Sequence, residues 1–90
     1  MNKQPYRLEF SDNALHGLKK LDKSVAKRIL KKVNWLTSNA DIVQHIALTG
    51  QWGDYFKLRV GDYRVIYSLD QNGRLIIVIV VGHRREIYDE

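Results

Sequence analysis

The dipeptide Gly61-Asp62, set between two stretches of alternating side chains, is the tightest constraint in this chain. Phe56, Leu58 and Val60 alternate with Tyr55, Lys57 and Arg59 before it, and Tyr63 to Leu69 follows. A two-residue connection of this composition is the turn of a tight β-hairpin, and such a turn fixes the pairing register. Val60 then faces Tyr63, Arg59 faces Arg64, Leu58 faces Val65, Lys57 faces Ile66 and Phe56 faces Tyr67. Side chains alternate across a strand, so the apolar pairs mark a core side. Tyr55, Lys57, Arg59 and Arg64 share the other side. Like charges directly across a strand pair repel, so Arg59 opposite Arg64 costs stability unless something offsets it. Two readings follow: a bound polyanion, suited to the guanidinium fork, or a solvated basic face with Asp54 or Asp62 as counter-charge.

The rest of the chain supplies elements around this hairpin. Tyr6, Leu8 and Phe10 alternate with Arg7 and Glu9 and read as a half-buried strand. Ser11 or Asp12 caps a first helix with an apolar stripe of Leu15, Leu18 and Leu21, slightly weakened by Gly17. Asp22 reads as a second cap. Val25, Ile29, Leu30, Val33 and Leu36 mark one face of a longer helix over about 23–37. The two helices abut, as in a helical hairpin packed on a sheet. Residues 38–53 lack a clear period and read as a loop leading into a strand. Asp70-Gln71-Asn72-Gly73 reads as a second turn. Leu75 to Val81 is apolar at every position, as in a strand covered on both faces. Gly82 ends that strand, and His83 to Glu90 is a polar tail. Antiparallel pairing then brings His83, Arg84 and Arg85 out beside Arg64. The expected fold class is α+β: an N-terminal strand, a two-helix hairpin, then a three-stranded antiparallel meander in one mostly antiparallel sheet. The expected organisation is one domain over residues 1–90.

Charge and composition narrow the chemistry. Fifteen Lys and Arg against ten Asp and Glu give a net charge of +5, which points to an acidic partner such as nucleic acid or an acidic protein. There is no cysteine, which excludes disulfides, thiolate metal sites and a cysteine nucleophile and fits a cytoplasmic setting. No apolar run reaches the roughly 18 residues of a membrane span, and the N-terminus lacks a signal-peptide core, so no membrane role is expected. His16, His45 and His83 lie far apart and the carboxylates do not cluster, so no metal is expected. Gly50-Gln51-Trp52-Gly53 lacks the lysine and helix start of a phosphate loop. No serine has a His/Asp escort.

RNA cleavage by the ribose 2′-OH suits these residues better. That reaction needs a base, cations for a crowded anionic transition state, and an acid for the departing 5′-oxygen. Lys57, Arg59, Arg64 and Arg84 are candidates for one cationic patch. Arginine stays protonated, so Arg84 reads as an electrostatic stabiliser. Tyr88 serves as a base only if neighbouring cations lower its pKa. His83 has the ordinary acid–base pKa but also reads as a surface histidine at a strand end. Tyr55 and Tyr88 can stack on unpaired bases.

The segment Tyr55-Phe56-Lys57-Leu58-Arg59-Val60-Gly61-Asp62-Tyr63-Arg64-Val65-Ile66-Tyr67, followed by Gly82-His83-Arg84-Arg85-Glu86-Ile87-Tyr88, resembles the RelE/ParE toxin superfamily, closer to RelE than to ParE. The Tyr-Arg-Leu-Glu-Phe strand and the Leu-Lys-Lys-Leu-Asp-Lys helix junction are similar too. The resemblance implies a RelE-like, microbial-RNase-like fold and a toxin of a type II toxin–antitoxin system. Such a toxin cleaves mRNA in the ribosomal A site without metal or other cofactor. It implies that Lys57 and Arg64 grip the scissile phosphate, that Arg84 stabilises the transition state, and that Tyr88 orients or deprotonates the 2′-OH. Arg59, Tyr55, His83 and Arg85 fall among the expected RNA contacts. Tyr55 stands where the best-known members carry another lysine. Lys27 and Lys31 belong to a basic group with Lys19, Lys20, Lys23, Arg28 and Lys32, suited to ribosomal RNA. The implied partners are the ribosome, mRNA and an acidic RelB-like antitoxin. A ParE-like gyrase poison and a non-catalytic RNA-binding relative are the alternatives.

Overall fold

The computed structural model describes residues 4–87. Strand β1 (Arg7–Phe10) leads into helices α1 (Asp12–Lys19) and α2 (Lys23–Asn39). A short β2 (Ile46–Ala47) and a 3-10 turn (Gly50–Trp52) precede β3 (Phe56–Val60), β4 (Tyr63–Asp70) and β5 (Leu75–His83). The sheet order is β1-β5-β4-β3-β2. The β1–β5 pair is parallel and the others are antiparallel. This is the expected α+β arrangement, with one added strand. Two-residue β2 sits in a stretch without local period, and its pairing with Lys57 and Phe56 is what makes it a strand.

The helices cover one face of the sheet. Val33, Ile29 and Ala14 pack with Val60, Val65, Val78 and Val81, while Leu36 and Ala40 pack with Tyr6, Tyr67 and Ile76. Burial of this apolar surface is the main force holding helices to sheet. Ser11 caps α1: its Oγ accepts the Ala14 N–H at 3.0 Å and donates to the Ile79 carbonyl at 2.7 Å. Asp22 occupies the N-cap position of α2 but makes no side-chain cap bond.

Three sequence expectations need correction. Leu15 and Leu30 are exposed, at 42% and 37%, and Ala14 takes the buried place on α1. A step of three residues falls 60° short of a full turn, so the stripe drifts off the face that meets β5. Gly17 lies on that face because a Cβ there would stand 2.5 Å from the Val81 carbonyl oxygen. Second, β5 is covered by helices on one face only: Ile76, Val78 and Val81 are buried, whereas Leu75, Ile77 and Val80 are half-buried. Its central position between β1 and β4 explains the apolar run. Third, β5 continues past Gly82 to His83, which pairs with Tyr63.

Beyond α2, side chains pin the loop that carries β2. His45 Nε2 donates to the Ala40 carbonyl (2.8 Å), and the Tyr67 hydroxyl donates to His45 Nδ1 (2.5 Å) in the neutral ring. Burial pushes the Tyr67 phenol up to about 12. The Tyr6 hydroxyl donates to Asp41, and Arg74 pairs with the same carboxylate at 3.1 Å. Burial, then the Asp41 bond, raises the Tyr6 phenol above its usual range.

Candidate functional site

The hairpin register is the one that the two-residue turn dictates. Val60 pairs with Tyr63, Arg59 with Arg64, Leu58 with Val65, Lys57 with Ile66 and Phe56 with Tyr67. Gly61 has φ +58°, the left-handed conformation such turns require. Arg64 pairs in turn with Gly82 of β5. Arg59, Arg64 and Gly82 therefore form one row across three strands, within about 10 Å at normal strand spacing. Lys57 lies two residues along β3, roughly 7 Å away. All of these lie on the face turned away from the helices.

A bulge sets which residues of β5 join the row. Ile66 pairs with Val80 and Tyr67 with Val78, leaving Ile79 as the extra residue. An extra residue reverses the facing of everything after it. Gly82 thus lies outward beside Arg64, and His83 turns to the helix side. There its ring meets Tyr63 edge-on, with centroids 5.3 Å apart. The Arg85 N–H donates to His83 Nδ1 at 3.1 Å, which fixes that nitrogen as an acceptor. The structure does not bring His83 to the basic row.

The chain after β5 folds back over the outer face. The Glu86 N–H donates to the His83 carbonyl (2.8 Å), and the His83 N–H donates to Glu86 Oε1 (3.1 Å). Glu86 and Ile87 lie against the outer side of Gly82, where a Cβ would approach them within 3.1 and 3.3 Å. Glu86 was not a sequence candidate; its closure of this turn is visible only once the chain reverses. Arg84 sits at the turn between β3 and β4. Its N–H donates to the Asp62 carbonyl at 2.8 Å, and its Nε lies 3.9 Å from Asp62 Oδ1. Both side chains are more than half exposed, so this ion pair adds little stability. Tyr88 lies outside the described residues.

Arg64 is held rather than free. Its Nη1 donates to the carbonyls of Gly61 and Tyr63, both at 3.0 Å. Those bonds turn the guanidinium toward the turn, which eases its opposition to exposed Arg59. They leave Nη2 and Nε as donors for a ligand, since arginine carries five N–H groups. Lys57 is half-buried, Tyr55 half-buried just before β3, and Arg85 exposed. The patch can thus bind an anion with several oxygens, with one guanidinium pre-oriented.

Helix α2 presents its basic residues on two sides. Lys27 and Lys31 are exposed and precede core residues Ile29 and Val33 by two positions, which places them about 200° away on the helix. Residues one position before the core, Arg28, Lys32 and Trp35, flank β3 instead. Arg28 Nη2 stands 2.6 Å from where a Gly61 Cβ would be. Lys32 and Trp35 line a groove of about 270 Å³ with Lys57, Leu58 and Arg59. Lys32 Nζ lies 4.1 Å from the Trp35 ring centroid. The helical phase against Ile29, Val33 and Leu36 was the available signal for this flank.

Comparison with known proteins gives a consistent family. The model of the ParE toxin of the parDE type II toxin–antitoxin system matches residues 8–88. A protein of Escherichia coli described as a RelE-like toxin is 31% identical over 80 residues, covering 88% of this chain and 83% of that protein. The RelE–RelB complex of Pyrococcus horikoshii contains a chain 27% identical, with a TM-score of 0.74 over 93% of this chain and 100% of that one. The isolated RelE toxin of Escherichia coli is 26% identical, with a TM-score of 0.71 over 87% of this chain and 83% of that one. The chain belongs to the RelE/ParE superfamily and is a toxin of the type II toxin–antitoxin class.

Proposed function

We propose that the chain is a ribosome-dependent endoribonuclease that cuts mRNA in the A site and so stops translation. The observation that carries this reading is the row of Arg59, Arg64 and Gly82, with Lys57 beside it and Arg84 at the adjoining β3–β4 turn. In the proposed reaction the ribose 2′-oxygen attacks the adjacent phosphorus and the bond from phosphorus to the 5′-oxygen breaks. The 2′-OH proton passes to a base, the 5′-oxygen takes a proton, and a 2′,3′-cyclic phosphate remains. Lys57 and Arg64 hold the scissile phosphate. Arg84 offsets the charge that grows on its oxygens, an interaction strongest at the transition state. Tyr88 is the proposed group at the 2′-OH, and His83 supports the tail that carries it by accepting the Arg85 N–H. A site so poor in ordinary acid–base groups gains most from a partner that fixes the RNA geometry, which is the proposed part of the ribosome. An acidic RelB-like antitoxin is the proposed protein partner, and the cytoplasm the proposed location; among the described residues no helix is long and apolar enough to cross a membrane.

The match to the ParE model favours a second reading, a gyrase poison that has no need of Arg84 or Tyr88. Induced expression in cells separates the two. The nuclease reading predicts growth arrest with shortened mRNA, lost in Arg84→Ala and Arg64→Ala proteins that remain folded. A DNA-damage response with intact mRNA, undiminished in Arg84→Ala, refutes it and supports the poison.

A further inference from the structure

We propose that Arg28 of α2 is a phosphate-binding residue of this site, gripping the RNA backbone at the β3–β4 turn. The inference rests on the RNA reading above and adds a contact to it. Three guanidinium side chains reach one two-residue turn: Arg28 against Gly61, Arg64 on the Gly61 and Tyr63 carbonyls, and Arg84 against Asp62. The contacts Arg28–Gly61 and Gly61–Arg64 place the two guanidinium groups at most about 9 Å apart, given standard backbone dimensions. That span suits one or two neighbouring phosphates of a single strand.

Charge makes the arrangement unfavourable without a ligand. The turn supplies one carboxylate, Asp62, and that faces Arg84. Arg28 is exposed and has no ion-pair or hydrogen-bond partner among the described residues. Gly61 provides the space it fills: with no Cβ and φ +58°, the turn lets the guanidinium lie against the main chain. Lys32, one turn further along α2, continues the same cationic flank beside Arg59 and Lys57. An RNA strand crossing the row at Arg59 and Arg64 meets Arg28 at the end of the sheet.

The test is binding of the full chain to a single-stranded 2′-O-methyl RNA, which has no free 2′-OH and cannot be cleaved by this chemistry. Fluorescence anisotropy over a range of salt gives Kd and the slope of log K against log salt. Loss of one phosphate contact to a single strand removes about 0.7 from the slope and about fivefold in affinity at 0.1 M salt. Arg28→Ala is expected to show both, and Arg28→Lys to restore the slope. Lys27→Ala and Lys31→Ala, on the far side of α2, are expected to change affinity less. A slope and Kd unchanged in Arg28→Ala, or a loss that Arg28→Lys shares in full alongside a lowered Tm, overturns the inference and leaves Arg28 a packing residue. Cleavage plays no part in this assay, so an inactive protein whose RNA binding still depends on Arg28 refutes the nuclease reading alone.

Discussion

Replacing Gly17 with alanine tests how α1 is seated on the sheet. In an exposed helix interior the change is stabilising by about 1 kcal/mol, because alanine is the better helix former. Here the new Cβ meets the Val81 carbonyl oxygen at 2.5 Å, where ordinary contact begins at 3.4 Å. The obstacle is backbone in the middle of a paired strand, so it cannot turn aside. Helix α1 must instead lift by up to about 0.9 Å, a gap that forfeits a quarter to a half of each dispersion contact it opens. The contacts at stake are those of Ala14 and Leu18 with the core. Overpacking of this kind costs about 1–3 kcal/mol, so after the propensity gain the net expectation is a loss of up to about 2 kcal/mol. For a domain of this size that lowers Tm by up to roughly 16 °C. Thermal and urea denaturation of Gly17→Ala measure it, with His16→Ala at an exposed position of the same helix as the control. An increase in Tm on Gly17→Ala, the result helix propensity alone predicts, would refute the close-approach argument.

Other expectations concern the buried polar contacts. Tyr67→Phe removes the donor to His45 Nδ1 and is expected to cost about 1–2 kcal/mol at neutral pH in urea unfolding. The same pair of proteins tests the raised phenol. Its folded pKa of about 12 lies above the ordinary phenol value of 10.0, so its contribution is complete below pH 10 and falls as pH rises toward 12. The wild-type protein is expected to lose about 2–3 kcal/mol relative to Tyr67→Phe across that window; parallel pH profiles would contradict it. Ser11→Ala deletes both the α1 cap and the bond to Ile79 and is expected to cost about 1–2 kcal/mol, read from the same unfolding curves.

The hairpin was legible because its information is local. Gly61-Asp62 sets a turn, the turn sets a register, and the register puts Arg59 opposite Arg64. The helices were legible from Ser11, Asp22 and the Ile29–Val33–Leu36 phase. What escaped depends on distant contacts. Nothing within Ile77–Val81 marks Ile79 as an extra residue, yet that bulge decides that Gly82 faces the basic row and His83 does not. Gly17 read as a weak point in a helix, whereas its value lies in a carbonyl far along the chain. Residues 40–47 carry no period because His45 and Asp41 are held by Tyr67, Tyr6 and Arg74 rather than by neighbours. Lys27 and Lys31 were singled out from a run of basic residues. Only the helical phase against the core separates them from Arg28 and Lys32.

Cleavage of mRNA by the basic row can be read by primer extension in a cell-free translation system. The comparison is between the wild-type chain and its Arg84→Ala variant, each with and without ribosomes. The expected result is cuts within the translated frame that need ribosomes and vanish in the variant. Intact mRNA from folded wild-type protein, or cuts that persist undiminished in Arg84→Ala, would contradict it.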